Sequence, residues 1–185
     1  VLLTAGRLER AKGHHLALQV AARLPGNGHP VLVMVAGSGP DEDWLHAQAD
    51  ALGLAERVCW LGHMPRDEMP AAYNAADAVL MLSLHTEAFA YAVVEAMSCG
   101  RPVVASRVGG LPTAITDGQD GFLVPAGDVN AATERVLALL RDSERRAAMG
   151  RAARQTVLER FTLERMVADT EGVFLRYAAG QGVQA

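Results

Sequence analysis

Apolar positions open the chain as two continuous runs separated by a helical pattern. Val1 to Arg7 reads as a buried strand, and Leu16, Val20 and Leu24, with Ala17, Ala21 and Ala22, recur at helical spacing until the breaker Pro25-Gly26-Asn27-Gly28. Val31 to Ala36 is a second continuous apolar run, followed by Gly37-Ser38-Gly39-Pro40 and a helix expected from about Asp41, a candidate N-cap, to Leu52. The unit then repeats. Strands are expected at Val58 to Leu61, Ala78 to Leu82, Pro102 to Ala105 and Gly121 to Val124. Helices are expected at Asp67 to Ala76, Tyr91 to Cys99 and, after Gly109-Gly110-Leu111-Pro112, as one short turn. Strands that are apolar at every residue are covered on both faces, and their alternation with helices implies a parallel sheet. The expected fold is α/β, a Rossmann-like doubly wound parallel sheet with helices on both faces.

From Asn130 onward the pattern is helical throughout: Asn130 to Leu140 with Asp128 as its cap, the Arg- and Ala-rich stretch Asp142 to Arg160, and a separate amphipathic helix from Thr162 to Ala178. In the last of these, Met166, Val167, Thr170, Val173, Phe174 and Tyr177 form one apolar stripe. We therefore divide the chain into a domain over 1–160 and a C-terminal helix and tail over 161–185, with residues 180–185 expected to fray. Val1 begins a strand with neither Met nor a leader, so the chain is expected to start mid-protein.

A length of 185 residues supports one sizeable core, and 50% apolar with 21% charged residues is a globular composition. There is no stretch of 18 uninterrupted apolar residues, and Arg7, Glu9, Arg10 and Lys12 interrupt the N-terminus, so neither a transmembrane span nor a signal peptide is expected. A net charge of −4 and a pI near 5.9 argue against a nucleic-acid surface, so any phosphate is to be bound locally. Cys59 and Cys99 lack metal or disulfide spacing and are expected to be buried thiols in a reducing compartment. Of the 17 basic residues only Lys12 is a lysine, which suits a position where a compact ammonium is wanted.

In a doubly wound sheet, ligands bind outside the carboxyl ends of the strands, so the chemistry is sought in the loops that follow them. The first, Gly6 to Gly13, places Arg7, Arg10 and Lys12 between two glycines and suits a diphosphate, although it is neither a Walker A loop nor a GxGxxG fingerprint. A solvated loop with surface arginines is the alternative. The second, Gly37-Ser38-Gly39-Pro40, permits close backbone approach to a ligand. The third carries Glu87 and, eight residues on, Glu95. Were that span wholly helical, the two would lie about 80° apart around the axis and about 12 Å apart along it. That exceeds the roughly 5 to 9.5 Å of a glycosidase pair, so two separate hydroxyl-binding carboxylates fit better. The fourth loop, Ser106 to Pro112, can offer backbone N–H groups to an anion. The histidines show no metal-ligand spacing, and His63 and His85 are the stronger candidates for a pocket.

Taken in order, several segments resemble the C-terminal, donor-binding half of the retaining GT-B glycosyltransferases of family four, the "group 1" glycosyltransferases. They are Gly6-Arg7-Leu8 with Lys12-Gly13, Ala36 to Pro40, Leu61-Gly62-His63, Ala76-Asp77, Glu87 to Glu95 as E-x7-E followed by Ala96-Met97, Gly100 to Ser106, Gly109 to Pro112, and Asp117-Gly118 leading into Gly121 to Val124. The resemblance covers nearly the whole chain. It implies that Arg7 and Lys12 bind the diphosphate of a sugar nucleotide, Glu87 reaches the donor sugar and Glu95 takes the ribose hydroxyls. Around them it places donor-binding positions at Gly6, Gly13, Gly37, Gly39, His63, Ala88, Phe89, Ala90 and Val94.

The same resemblance implies a cytoplasmic bacterial enzyme that transfers a hexosyl group to an acceptor held by an N-terminal domain absent from this chain. It further implies that this fragment is inactive alone, needs neither cofactor nor metal, and meets the inner face of a membrane only peripherally, through the missing half. Where the family commonly has E-G-F-G, this chain has Glu87-Ala88-Phe89-Ala90, and Thr113 stands in place of a glutamate. A degenerate, non-catalytic nucleotide-sugar module and a GT-B sugar-nucleotide epimerase remain the alternatives.

Overall fold

The computed structural model describes residues 1–25, 30–85, 87–89 and 91–178. Residues Gly26 to Gly28 of the expected breaker, Ala90 and the expected frayed tail 180–185 lie outside them. Six strands form one parallel sheet: β1 (Leu2–Ala5), β2 (Val33–Ala36), β3 (Val58–Gly62), β4 (Ala78–Met81), β5 (Val103–Ser106) and β6 (Phe122–Val124). Between and after them run α1 (His14–Arg23), α2 (Glu42–Ala51), α3 (Met69–Ala75), α4 (Tyr91–Ser98), α5 (Leu111–Ala114), α6 (Val129–Arg141), α7 (Ser143–Arg160) and α8 (Leu163–Ala178). The strand order is β3-β2-β1-β4-β5-β6, the doubly wound arrangement the pattern predicts.

The unbroken apolar runs have the cause inferred for them. Leu2, Val33, Val35, Leu80, Val104 and Phe122 face a layer built by α1, α2 and α6. Their neighbours Leu3, Ala5, Val79, Met81, Val103 and Leu123 face the opposite layer of α3, α4, α5 and α7. Each fully buried aliphatic side chain contributes about 1.5–3 kcal/mol, so consecutive strand residues stabilise two cores at once.

Element ends differ from the sequence expectation in instructive ways. β1 stops at Ala5 because the next residue, Gly6, turns away at φ 142°, which frees Arg7 for the loop. Asp128 and Asp142 cap α6 and α7, accepting from the Ala131 and Arg145 amides at 2.9 and 2.8 Å. Asp41 precedes α2 but does not cap it. Its carboxylate instead accepts from the Arg10 amide at 2.9 Å, tying the first loop to the second. Contrary to the buried-thiol expectation, Cys59 is exposed, since β3 is an edge strand covered less completely than the rest, and Cys99, just after α4, is half-buried. No residue of α8 is buried, and Phe174 and Tyr177 of its apolar stripe are 71% and 73% exposed. Among the described residues, no helix is long and apolar enough to cross a membrane.

Candidate functional site

The strand order reverses between β1 and β4, and at such a switch point the loops leaving the two strands diverge and open a crevice. The segment after β1 carries Gly6, Arg7, Lys12 and Gly13, and the segment after β4 carries Ser83 and Glu87. The two meet across the switch point. Lys12 Nζ donates to both carboxylate oxygens of Glu87, at 2.8 and 2.9 Å, and the wholly buried Ser83 hydroxyl donates to Glu87 Oε1 at 2.6 Å. The main chain reinforces this pairing, since the Leu84 amide donates to the Ala11 carbonyl at 2.8 Å. Gly13, at φ 71°, caps the single 3-10 turn Arg10–Lys12, and a Cβ there would overlap the Leu82 carbonyl; only glycine lets the two segments approach this closely.

A cavity of about 580 Å³, within the usual range for small-molecule sites, opens at the ends of the first three strands, and Lys12, Gly13 and Glu87 are not among its lining residues. Of the expected donor-binding residues it gathers Gly6, Arg7, Gly37, Gly39, His63 and Glu95. They come from the ends of β1, β2 and β3 and from α4. A Cβ on Gly37, at φ 139°, would strike the Gly6 carbonyl, so the first two loops stack directly against each other. Arg7 is exposed, and its Nε lies 2.6 Å from Glu9 Oε1.

Glu95 is not an unsupported charge in an apolar helix. Tyr73, 1% exposed on α3, donates its hydroxyl to Glu95 Oε2 at 3.1 Å, and Arg66 Nε stands 3.6 Å from Oε1. Burial, then the neighbouring Glu95 charge and the hydrogen bond to it, push the Tyr73 hydroxyl far above its ordinary pKa, so it remains a donor. Glu87 lies before α4, which starts at Tyr91, so the helical spacing considered for the two glutamates does not apply to them.

Other expectations change. Val94 and Phe89 do not line the cavity; they face a groove shared with Tyr91, Phe161 and Met166 beside α8. Val94 is one residue from Glu95, a rotation of about 100° on a helix; Glu95 borders both the cavity and this groove, Val94 the groove alone. Ala88 is exposed, and no described non-glycine residue has positive φ, so alanine there carries no left-handed strain. Ala90 lies outside the described residues. The Gly109-Gly110 loop does not offer both amides to an anion: the Gly110 amide donates to the Glu87 carbonyl at 2.7 Å and so clamps the backbone of that glutamate. His85 is exposed and absent from the cavity lining. Ser83, Tyr73, Met64 and Met69 are site members that the loop reading passed over, because it looked only for charge and glycine; a tyrosine in an otherwise small-residue helix was the available signal for Tyr73.

The doubly wound sheet and the crevice at its switch point define a Rossmann-like α/β domain. Residues 1–156 match the family described as glycosyl transferases group 1, and the chain belongs to that family. It is 42% identical over 159 residues to a D-inositol 3-phosphate glycosyltransferase of Mycobacterium sp. (strain KMS), a match covering 83% of this chain and 34% of that protein. To a glycogen synthase of Mycobacterium tuberculosis it is 33% identical over 180 residues, covering 97% of this chain and 43% of the other. HepE of Anabaena, whose crystal structures hold UDP or UDP-glucose, superposes with a TM-score of 0.84 in both complexes. In the UDP complex the identity is 29%, covering 92% of this chain and 48% of that one. The chain thus spans about a third of the D-inositol 3-phosphate glycosyltransferase it matches.

Proposed function

We propose that the chain is the donor-binding half of a bacterial, cytoplasmic retaining glycosyltransferase, which transfers a hexosyl group from a nucleoside diphosphate sugar to an acceptor held by a preceding domain. The observation that carries this reading is the gathering of the expected residues at the carboxyl edge of the sheet, with the Lys12–Glu87 pair bridging the switch point and Gly6, Arg7, Gly37, Gly39, His63 and Glu95 lining a cavity. The base and ribose enter the cavity. Glu95 accepts from the ribose hydroxyls, fixed in position by Tyr73, while the loops of Gly37 and His63 enclose the base. The diphosphate lies toward Arg7 and Lys12, and Glu87 receives the sugar hydroxyls, with Gly13 and the backbone at Ala88 beside them.

In the reaction the bond from the anomeric carbon to the diphosphate oxygen breaks, and a bond to the acceptor oxygen forms on the same face. The acceptor proton passes to the departing phosphate. Negative charge grows on that phosphate, and fixed cations at this position stabilise the transition state. The neighbour bound to UDP makes uridine nucleotides the first probes.

The test is a thermal-shift and calorimetric screen of this chain against UDP-, GDP- and ADP-sugars, because a ligand of the folded state raises stability by RT ln(1 + [L]/Kd). Binding of one diphosphate sugar, weakened far more for the diphosphate than for the bare nucleoside by Lys12→Ala or Arg7→Ala, is the expected result. Equal losses for both ligands would sink the assignment. The chain alone is expected to bind donor without turnover, which a radiolabelled transfer assay checks.

A further inference from the structure

His14, the first residue of α1, is 1% exposed, an uncommon depth for an imidazole. Its Nδ1 lies 2.8 Å from the Thr4 hydroxyl and its Nε2 lies 3.0 Å from the Arg7 carbonyl oxygen. A carbonyl oxygen only accepts, so Nε2 carries the hydrogen; in the neutral ring Nδ1 is then the acceptor and the Thr4 hydroxyl donates to it. Burial holds the imidazole below its ordinary pKa, with Lys12 and His15 nearby acting in the same direction, which keeps this tautomer uncharged. Thr4 is itself buried in β1, paired with Val35 of β2 in the sheet, so the far end of the relay is rigid.

We propose that His14 is a positioning residue for the donor phosphate site, linking β1 to the Arg7 carbonyl and so fixing the course of the Gly6–Gly13 segment; this rests on the reading of that segment as the diphosphate binder. Just before Arg7, the Gly6 amide donates to the Ala36 carbonyl of β2 at 2.9 Å. The Arg7 carbonyl also accepts the Glu9 amide at 2.8 Å, a local turn that shapes the loop without tying it to the sheet. On its outer side Leu8 is held by the second loop, its amide donating to the Ser38 carbonyl at 3.0 Å and its carbonyl accepting the Asp41 amide at 3.0 Å. His14 is the inner tether. Gly6 passes directly over the ring: a Cβ there would be 4.0 Å from both Cε1 and Nε2. The imidazole therefore supports the floor of the loop whose upper side carries Arg7, while Lys12 lies two residues before it.

The two nitrogens can be separated by substitution. Asparagine replaces the Nδ1 position and can still accept from Thr4, whereas glutamine places an N–H near the Nε2 position and can still donate to the Arg7 carbonyl. The experiment measures UDP and uridine affinities by calorimetry for the wild type, His14→Asn and His14→Gln, with GDP/guanosine and ADP/adenosine run in parallel. The expected result is that His14→Asn weakens diphosphate binding roughly five- to tenfold, the worth of one hydrogen bond, and leaves nucleoside binding within about twofold, while His14→Gln recovers most of the loss. If the two variants behave alike, or if His14→Asn weakens diphosphate and nucleoside equally, the tether does not position phosphate and the inference is overturned. A wild type that binds diphosphate no better than nucleoside would instead overturn the functional reading itself and this inference with it. A long-range proton–nitrogen NMR spectrum of the wild type requires no variant to fold: a protonated Nε2 and bare Nδ1 support the relay, and the reverse tautomer refutes it.

Discussion

Replacing Glu87 by glutamine is expected to tighten the binding of UDP, although it removes a carboxylate from the centre of the site. Glu87 is 12% exposed and Lys12 32%, and the ammonium lies within hydrogen-bond distance of both carboxylate oxygens. In the unliganded protein the lysine charge is therefore already engaged, and an incoming diphosphate meets a carboxylate beside the cation it needs. At an effective dielectric constant of about 20, a carboxylate about 6 Å from a phosphate charge costs roughly 3 kcal/mol. Salt and the open side of the crevice reduce this to about 1 kcal/mol, or a gain of about fivefold in UDP affinity for Glu87→Gln. The amide keeps the side-chain volume and can still accept from Ser83. The unliganded variant pays for its unpaired lysine: breaking a partly exposed pair costs about 1–2 kcal/mol, and the melting temperature of a domain this size falls by about 2–8 °C. Calorimetry with UDP and UDP-glucose at fixed ionic strength tests the idea. The variant is expected to bind UDP more tightly and to lose part of whatever extra affinity the sugar confers. If Glu87→Gln weakens UDP binding as much as Lys12→Ala does, Glu87 is holding Lys12 in place for phosphate and the competition argued here does not occur.

Tyr73→Phe removes the hydroxyl held at 3.1 Å by Glu95, which is expected to cost about 1–2 kcal/mol by chemical denaturation and to narrow the preference for ribose over 2′-deoxyribose nucleotides; an unchanged preference would detach Tyr73 from the ribose site. Burial lowers the pKa of His14 and His15, so the folded chain binds fewer protons than the unfolded one below the ordinary histidine pKa of about 6.5. Stability is accordingly complete above about pH 6.5 and is lost as pH falls toward the folded values, a slope that His14→Gln is expected to flatten in melts across pH 5 to 7.5. EDTA is expected to leave UDP binding unchanged because Arg7 and Lys12 supply the charge that faces phosphate; calorimetric dependence on Mg²⁺ or Mn²⁺ would contradict it.

The fold was legible because its signal is redundant. Strands such as Val33–Ala36 are apolar at every position, and each is followed by a helix whose spacing repeats, so an error of two residues at an end leaves the topology intact. The loop residues of the site were legible as types, glycines and charges following strands, and the order of motifs identified the family. Their pairing was not. Lys12 and Glu87 stand 75 residues apart and were assigned to separate tasks, and only the adjacency of β1 and β4 brings them together. Tyr73 and Glu95, 22 residues apart on adjacent helices, are a second case. Val94 and Phe89 line the groove and not the cavity, a distinction that membership in a motif does not display, because it says nothing about which side of a chain a residue faces. For His14 the sequence offers no signal, because only the fold brings its two nitrogens to a buried threonine and the backbone of the first loop.

These pairings explain how a chain of net charge −4 can keep three cations on one short segment without an open basic patch. Each basic residue between Gly6 and Gly13 has its own carboxylate: Arg7 with Glu9 at 2.6 Å, Arg10 with Asp41 at 3.5 Å and Lys12 with Glu87 at 2.8 Å. The partners come from three different places, the same loop, the residue before α2 and the loop after β4, so two of the three contacts tie the segment to other loops while all three neutralise it. They differ in shielding. Arg7 and Arg10 are 67% and 64% exposed, where an ion pair is worth at most about 1 kcal/mol and exchanges readily for a phosphate. Lys12–Glu87 is the shielded pair, additionally held by Ser83 and by the clamp from Gly110, so it does not open at small cost. A diphosphate arriving here can take Arg7 from Glu9 almost freely, but it must share Lys12 with Glu87 until a further group, such as a sugar hydroxyl, gives that carboxylate a new partner. The order of the contacts thus follows from burial alone: phosphate at the exposed arginine first, and the lysine and glutamate resolved together when the sugar is in place.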